Sequence, residues 1–187
     1  LEAAIIDPAP ESAPALTEYI KKHALIPKAI WLTHSHWDHI ADVFPLKTSY
    51  SIPVFIHEED LQNLENPGSD QLPCWIDIHG SSADFTFKEN ERLHLGELKV
   101  EVIFTPGHTP GGVCFYLPQE ELLFSGDTLF AGTIGNLSFP TARPALMWKS
   151  LEILAKLPKR TKVLPGHGPS TTIGKEEWLE HARELFG

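Results

Sequence analysis

The stretch THSHWDHI, residues 33–40, places three histidines and one aspartate within six consecutive positions. Histidine is the commonest metal ligand in proteins, and aspartate is a usual oxygen ligand beside it. A solvated polar loop rarely collects four such side chains. The stretch therefore predicts a metal site with His34, His36, Asp38 and His39 as candidate ligands.

The flanking residues place this stretch on a loop between a strand and a helix. Residues 29–32 are apolar and partly β-branched, which is typical of a buried strand, and residues 40–46 have the pattern of a helix start. Loops of this kind at the end of a sheet commonly carry the functional residues of α/β proteins. On an extended segment His34, His36 and Asp38 would point to one side and His39 to another, so the stretch can serve two neighbouring metals.

Length and composition predict a single globular domain over residues 1–187, since 42% of the residues are hydrophobic. The net charge of −10, with scattered Lys and Arg, argues against a nucleic-acid partner. The sequence has neither a membrane-spanning run nor a signal-peptide pattern. Cys74 and Cys114 form no Cys-x-x-Cys motif and are expected to be reduced thiols. We therefore expect a cytoplasmic protein without a membrane partner.

The order of predicted elements changes along the chain. The first part alternates strands and helices, with Ser12 as the predicted cap of a helix running to about His23, which favours parallel strands. Residues 66–82 lack periodicity and form a long irregular loop of the kind that is often functional. From Phe85 the pattern predicts antiparallel strands, then a helix within 141–157, a strand at 162–164 and a final helix. The result is two sheets faced by helices.

Three later positions repeat the local form of a strand end followed by a glycine-containing loop with one potential ligand. They are His108 in TPGHTPGG, Asp127 in FSGDT and His167 in LPGHGP. Alone, each residue is more often a surface or capping residue. Together with residues 33–40 they give seven candidate ligands, which suits two metals that share one bridging carboxylate.

In this order the motifs resemble those of the metallo-β-lactamase-fold hydrolases, and within them the glyoxalase II-like group. The resemblance extends from Ile5 onward and implies a four-layer αββα sandwich with the site at the shared edge of two sheets. Members usually begin with one or two more strands, which agrees with the abrupt start of this chain inside a predicted strand. The resemblance implies one ion held by His34, His36 and His108, a second held by Asp38, His39 and His167, and Asp127 as the bridge.

Differences from the relatives narrow the expected activity. The β-lactamases of this fold carry Cys or Ser where this chain has Asp127, so β-lactam hydrolysis is not expected. Flavodiiron proteins carry Glu at the position of His36, which argues against a redox di-iron site. Hydroxyacylglutathione hydrolases have a basic residue in the loop after the bridging aspartate, where this chain has Asn136, and a helical extension after the last ligand. Arg143 is the nearest cation that could replace the basic residue, and the chain is most similar to short, single-domain members.

The resemblance implies a metal-dependent thioesterase. Two divalent ions, zinc in the first place with iron or manganese as alternatives, would provide a bridging hydroxide at neutral pH. Asp38 would accept or orient the proton of this hydroxide. The first substrate to test is S-lactoylglutathione. Trp37 and Phe139 could line an acyl pocket or simply pack. Two alternatives stay open: a persulfide dioxygenase with one iron on His34, His108 and Asp127, and a non-catalytic binding protein on the same fold.

Overall fold

The computed structural model describes residues 1–187, and its first half forms a parallel sheet with helices on one face. Four strands lie in the order β1, β2, β3, β4. Their bounds are β1 (Glu2–Ile6), β2 (Ile26–Trp31), β3 (Val54–His57) and β4 (Phe85–Phe87), and the helices between them are α1 (Ser12–Lys22), α2 (Trp37–Ile40), α3 (Val43–Tyr50) and α4 (Leu61–Glu65), with a 3-10 turn at Glu58–Asp60.

The second half forms a six-stranded sheet in which neighbouring strands are antiparallel, except that the strand Lys162–Pro165 runs parallel to the strand Leu122–Gly126. Its elements are β5 (Arg92–Leu95), β6 (Leu98–Phe104), β7 (Val113–Leu117) and β8 (Leu122–Gly126), then a short ribbon of β9 (Leu129–Phe130) and β10 (Thr133–Ile134), then α5 (Pro144–Ala155), β11 (Lys162–Pro165), β12 (Thr171–Thr172), two 3-10 turns at Ile173–Lys175 and Glu177–His181, and α6 (Ala182–Phe186).

Side-chain alternation stacks these elements into four layers. On β2, Ile30 packs with the helices of the first half, whereas Trp31 packs against the second sheet. On β7, Phe115 faces the first sheet, whereas Cys114 and Tyr116 face α5. Because successive residues of a strand point to opposite faces, each sheet buries one face against the other sheet and one against helices. The predicted αββα sandwich is confirmed.

Two local predictions are wrong. Strand β4 does not belong to the antiparallel part; it runs parallel to β3 at the edge of the first sheet, because the loop after α4 returns the chain in the same direction. Ser12 does not cap α1 either, since it is the first helical residue. The carboxylate of Asp42 takes the capping role by accepting a hydrogen bond from the Ala13 amide (2.6 Å). No helix combines the length and the apolar composition that a membrane span requires.

The core between the sheets provides a stability prediction. Phe115 is fully buried and lies against the rings of Trp31 and Phe87, with centroid distances of 5.7 and 5.4 Å. We expect Phe115→Ala to lower the free energy of unfolding by about 3–5 kcal/mol, because the truncation leaves a cavity. Urea denaturation measures this, with the exposed Phe85→Ala as the matched control. Equal losses in the two variants would contradict the assigned core.

Candidate metal centre

Four loops meet at one edge of the sandwich, and each of them follows a strand. Residues 33–40 follow β2, His108 follows β6, Asp127 follows β8 and His167 follows β11. Backbone hydrogen bonds hold these loops together: the Val113 amide donates to the Thr33 carbonyl (2.9 Å), and the Gly166 amide donates to the Gly126 carbonyl (2.8 Å). The fold therefore brings together residues that are far apart in the sequence.

The first group consists of the buried imidazoles of His34, His36 and His108, whose nitrogens lie within 4.8 Å of one another. Each of these rings has a buried Nε2 atom without a hydrogen-bond partner. Buried polar atoms are normally satisfied, and three that converge on one point are the arrangement expected around a cation. The residues present therefore fit a metal ion.

The second group consists of Asp38, His39 and His167, whose ligand atoms also lie within 4.8 Å of one another. His167 Nε2 lies 2.9 Å from Asp38 Oδ2 and 3.3 Å from His39 Nε2. Its side chain is 56% exposed, whereas that of His39 is 4% exposed. The second group therefore opens to solvent, unlike the first.

Asp127 lies between the two groups. Its Oδ1 atom is 3.4 Å from His39 Nε2 in the second group, and its Oδ2 atom is 3.5 Å from His108 Nε2 in the first. One carboxylate that faces both groups is placed as a bridging ligand would be. The structure thus brings all seven sequence-predicted side chains together, and their roles as ligands stay a prediction.

Hydrogen bonds behind the imidazoles fix which nitrogen faces the centre. His39 Nδ1 donates to Asp7 Oδ2 (3.0 Å), and His108 Nδ1 donates to the Asn136 carbonyl (2.9 Å). Thr33 donates its hydroxyl hydrogen to Asp7 (2.5 Å), so the same hydroxyl accepts from His34 Nδ1 (3.0 Å). Each ring thereby presents its Nε2 atom to the centre, as the outer partners of metal-bound histidines arrange.

Burial holds the first group in the neutral form that a metal requires. It lowers the pKa of His34 well below the usual range and that of His36 to about 2, with the neighbouring imidazoles adding to the effect, and it also lowers the pKa of His108. For His39, burial is outweighed by the hydrogen bond to Asp7 and by the charges of Asp7, Asp127 and Asp38, and its pKa rises to about 9.

Gly166 leaves the space that the second group needs. A β-carbon at this position would lie 2.6 Å from Cε1 of His39 and would also collide with Asp127. Any side chain here would push one of these two residues away. The glycine before His167 is therefore required by close approach and not by its backbone conformation.

The expected alternation within residues 33–40 is wrong. His36 is extended, but α2 begins at Trp37, so Asp38 and His39 lie on a helical turn. Successive side chains on a helix are about 100° apart and not 180° as on a strand, so Asp38 and His39 can both reach the second group, where their ligand atoms lie within 4.8 Å of each other. The two-metal interpretation does not depend on the alternation that suggested it.

The four proposed substrate residues lie in different places. Phe139 contacts the first group, with its ring centroid 5.3 Å from that of His36 and 5.5 Å from that of His108. Trp37 is half-buried at the start of α2. Asn136 orients His108 through its carbonyl, and its side chain accepts from the Ser138 amide (2.8 Å). Arg143 lies at the start of α5, with its guanidinium 3.7 Å from the carboxylate of Glu59.

Sequence reasoning missed two carboxylates that support the site. Asp7 follows the apolar end of β1 and therefore has the same local form as Asp127, which is a signal that could have found it. Asp60 gives no such signal, since its backbone partners are Ser35 and Gly111, 25 and 51 positions away. Such a role becomes visible only when the chain is folded.

Comparison with known proteins defines the family. The sequence profile of the Metallo-beta-lactamase superfamily matches residues 2–167. The chain therefore belongs to this superfamily.

Two relatives show how far the similarity extends. A probable metallo-hydrolase, YqgX of Bacillus subtilis, is 36% identical over 177 residues, covering 92% of this chain and 83% of the relative. A hydroxyacylglutathione hydrolase of Mesorhizobium japonicum is 37% identical over 166 residues, covering 89% of this chain but 57% of that protein.

Two solved structures are similar along most of the chain. The BLEG-1 B3 metallo-beta-lactamase superimposes with a TM-score of 0.88 at 38% identity, covering 100% of this chain and 90% of that one. TTHA1623 in a di-iron-bound form superimposes with a TM-score of 0.82 at 40% identity, covering 91% of this chain and 84% of that one.

The raised pKa of His39 leads to a prediction about metal uptake. With a pKa of about 9, this imidazole carries a proton at pH 7 in the metal-free protein, and an ion can bind only after that proton leaves. We expect the apparent affinity of the second group to rise about tenfold per pH unit up to about pH 9 and then to level off. Calorimetry in buffers of different ionisation enthalpy counts the released protons.

The controls for this experiment are two histidine variants. His39→Gln should remove the pH-dependent proton release, whereas His94→Gln, an exposed strand position, should leave it unchanged. The same number of released protons at pH 7 and pH 10 in the unmodified protein would contradict the prediction.

Proposed function

We propose that the protein is a binuclear metallohydrolase that cleaves acyl thioesters, with S-lactoylglutathione or a related compound as substrate. The observation that carries the proposal is Asp127, whose carboxylate lies between two complete groups of candidate ligands, 3.4 Å from His39 Nε2 and 3.5 Å from His108 Nε2. A mononuclear iron site, the alternative, would use only two histidines and one carboxylate of these seven residues.

The residues of the two groups have separate tasks in this reaction. The first group would hold one divalent ion and the second group another, and the two ions would supply a hydroxide near neutral pH and polarise the substrate carbonyl. Asp38 has a side chain that is 29% exposed and is directed to the open second group. Its free oxygen is proposed to accept or orient the proton of the nucleophile, because a carboxylate within reach of that proton is suited to the role.

The acyl part of the substrate is proposed to lie against Phe139. Its ring faces His36 and His108, so it provides an apolar surface directly beside the first group. Trp37, at the start of α2, is the second proposed pocket residue. Such sites combine apolar lining with a few polar groups that fix orientation.

Zinc is the proposed metal, with iron and manganese as alternatives that the same ligands accept. The di-iron form belongs to TTHA1623 and shows that a relative holds iron. A cytoplasmic setting is proposed too, because Cys74 and Cys114 are free thiols, as expected in a reducing compartment.

Thiol release tests the activity. Metal-loaded protein should hydrolyse S-lactoylglutathione or another acyl thioester, and metal-free protein should be inactive, as should His108→Gln; the matched control His94→Gln should keep full activity. Elemental analysis of protein purified without added metal identifies the ion.

Parallel assays separate the alternatives. Oxygen uptake on glutathione persulfide by an iron-loaded form without thiol release would identify a dioxygenase. Hydrolysis of a cephalosporin in place of thioesters would show that Asp127 does not exclude β-lactam hydrolysis. Inactivity in all assays with metal bound would favour a binding protein, and each of these results would overturn the thioesterase proposal.

Arg143 is the proposed contact for a carboxylate of the thiol carrier. It lines a groove of about 590 Å³ with Phe104 and Leu146, and its only ion pair, with Glu59, is long (3.7 Å) and exposed. Exposed pairs of this kind contribute little, so the guanidinium is free to turn to a substrate anion. The groove shares Glu59 and Pro110 with the polar cleft beside His36.

We expect Arg143→Ala to raise KM for glutathione thioesters about tenfold, equivalent to about 1.4 kcal/mol, with kcat unchanged. Arg92→Ala is the matched control, because Arg92 has an exposed ion pair of the same length (3.7 Å) on β5. Steady-state kinetics distinguish the two variants. An unchanged KM in Arg143→Ala would remove this residue from the substrate site.

A further inference from the structure

We propose that Asp60 and Asn63 are positioning residues that fix the geometry of the first metal group by holding the backbone of Ser35. Ser35 lies between His34 and His36, the two ligands that this group takes from one loop. The inference rests on the proposed metal-binding role of these histidines, and it concerns two residues that make no hydrogen bond to the ligand side chains.

Both backbone groups of Ser35 are held by side chains. Its amide donates to Asp60 Oδ2 (2.9 Å), and its carbonyl accepts from Asn63 Nδ2 (2.6 Å). Buried backbone groups are normally satisfied within helices or sheets, but this loop has neither. The peptide planes on either side of Ser35 thus have a fixed orientation, and with them the Cα–Cβ directions of His34 and His36.

Asp60 connects this loop to the third ligand as well. Its second oxygen, Oδ1, accepts from the amide of Gly111, three residues after His108 (2.7 Å). One carboxylate therefore holds the two loops that carry the whole first group. Asp60 is 3% exposed, and backbone amides rather than cations are its hydrogen-bond donors here. A buried carboxylate is costly for stability, which favours a positioning role over a purely structural one.

Asn63 extends the connection to the irregular loop at residues 66–82. Its Oδ1 atom accepts from the amides of Gly68 (3.0 Å) and Asp70 (3.1 Å), and its Nδ2 atom also donates to Asp70 Oδ2 (3.0 Å). The side chain is 6% exposed, so solvent does not replace these partners. The base of the long loop and the ligand loop are therefore held by the same amide group.

The test uses metal binding as a readout besides activity. Co²⁺ and Zn²⁺ are titrated into the full chain carrying Asp60→Asn or Asn63→Ala, and the visible spectrum of the Co²⁺ form is recorded. Asp60→Asn keeps the volume but turns one acceptor into a donor that faces a backbone amide. We expect each variant to bind the ion of the first group about 10–100-fold more weakly, with shifted Co²⁺ bands.

Two controls separate positioning from general destabilisation. Asp84→Asn changes a carboxylate that accepts from the Val54 amide (2.9 Å), away from the centre. Leu64→Ala truncates a buried neighbour of Asn63 that packs in the core of the first half. Both should lower the melting temperature of the metal-free protein and leave the metal affinity and the Co²⁺ bands unchanged.

Each outcome decides the proposal. Weaker binding with shifted bands in Asp60→Asn and Asn63→Ala, but not in the controls, supports it. The positioning role would be overturned if these two variants kept the metal affinity and the Co²⁺ bands of the natural sequence, or if Leu64→Ala lost as much metal affinity as they do. Either result would leave the proposed metal site itself intact. A natural-sequence protein that binds no ion through His34, His36 and His108 would overturn both.

Discussion

Three imidazole nitrogens, the Nε2 atoms of His34, His36 and His108, converge in the protein interior without a hydrogen-bond partner. Leaving a buried polar atom unsatisfied costs about 1–3 kcal/mol, so this arrangement opposes folding unless a cation compensates it. The same burial keeps the rings neutral, because it lowers the pKa of all three. Burial of these three rings therefore both destabilises the metal-free protein and keeps the rings in the neutral form that can bind an ion.

The sandwich provides the rigidity that this arrangement needs. The ligand loops follow strands β2, β6, β8 and β11, and each of these strands contributes buried residues to the core, namely Ile30, Val102, Leu123 and Val163. Carboxylates then hold the loops from behind: Asp7 binds the Thr33 amide (2.7 Å) and His39, and Asp60 binds the loops of Ser35 and Gly111. Long-range hydrogen bonds to backbone groups thus replace the regular secondary structure that the loops lack.

The sequence predicted two sheets faced by helices, and the family resemblance implied the order of the layers. The seven side chains that gather at the centre could be found because their motifs are local and recur at strand ends. Interactions between distant segments were not predictable. The parallel pairing of β4 depends on where the loop after α4 returns the chain, and the direction of Asp38 depends on a helical turn that starts at Trp37. The positions of Asp60 and Asp42 as hydrogen-bond acceptors likewise depend on partners that are brought close only by folding.

The unequal exposure of the two groups has a consequence for how the centre would be assembled and lost. An ion among His34, His36 and His108 could exchange only when the surrounding loops open, whereas His167, at 56% exposure, can swing away without disturbing the core. A chelator should therefore strip the centre in two phases, a fast one from the side of His167 and a slow one coupled to local unfolding. An ion in the first group would therefore exchange only as fast as the surrounding loops open, whereas an ion in the second group would exchange directly with the solution.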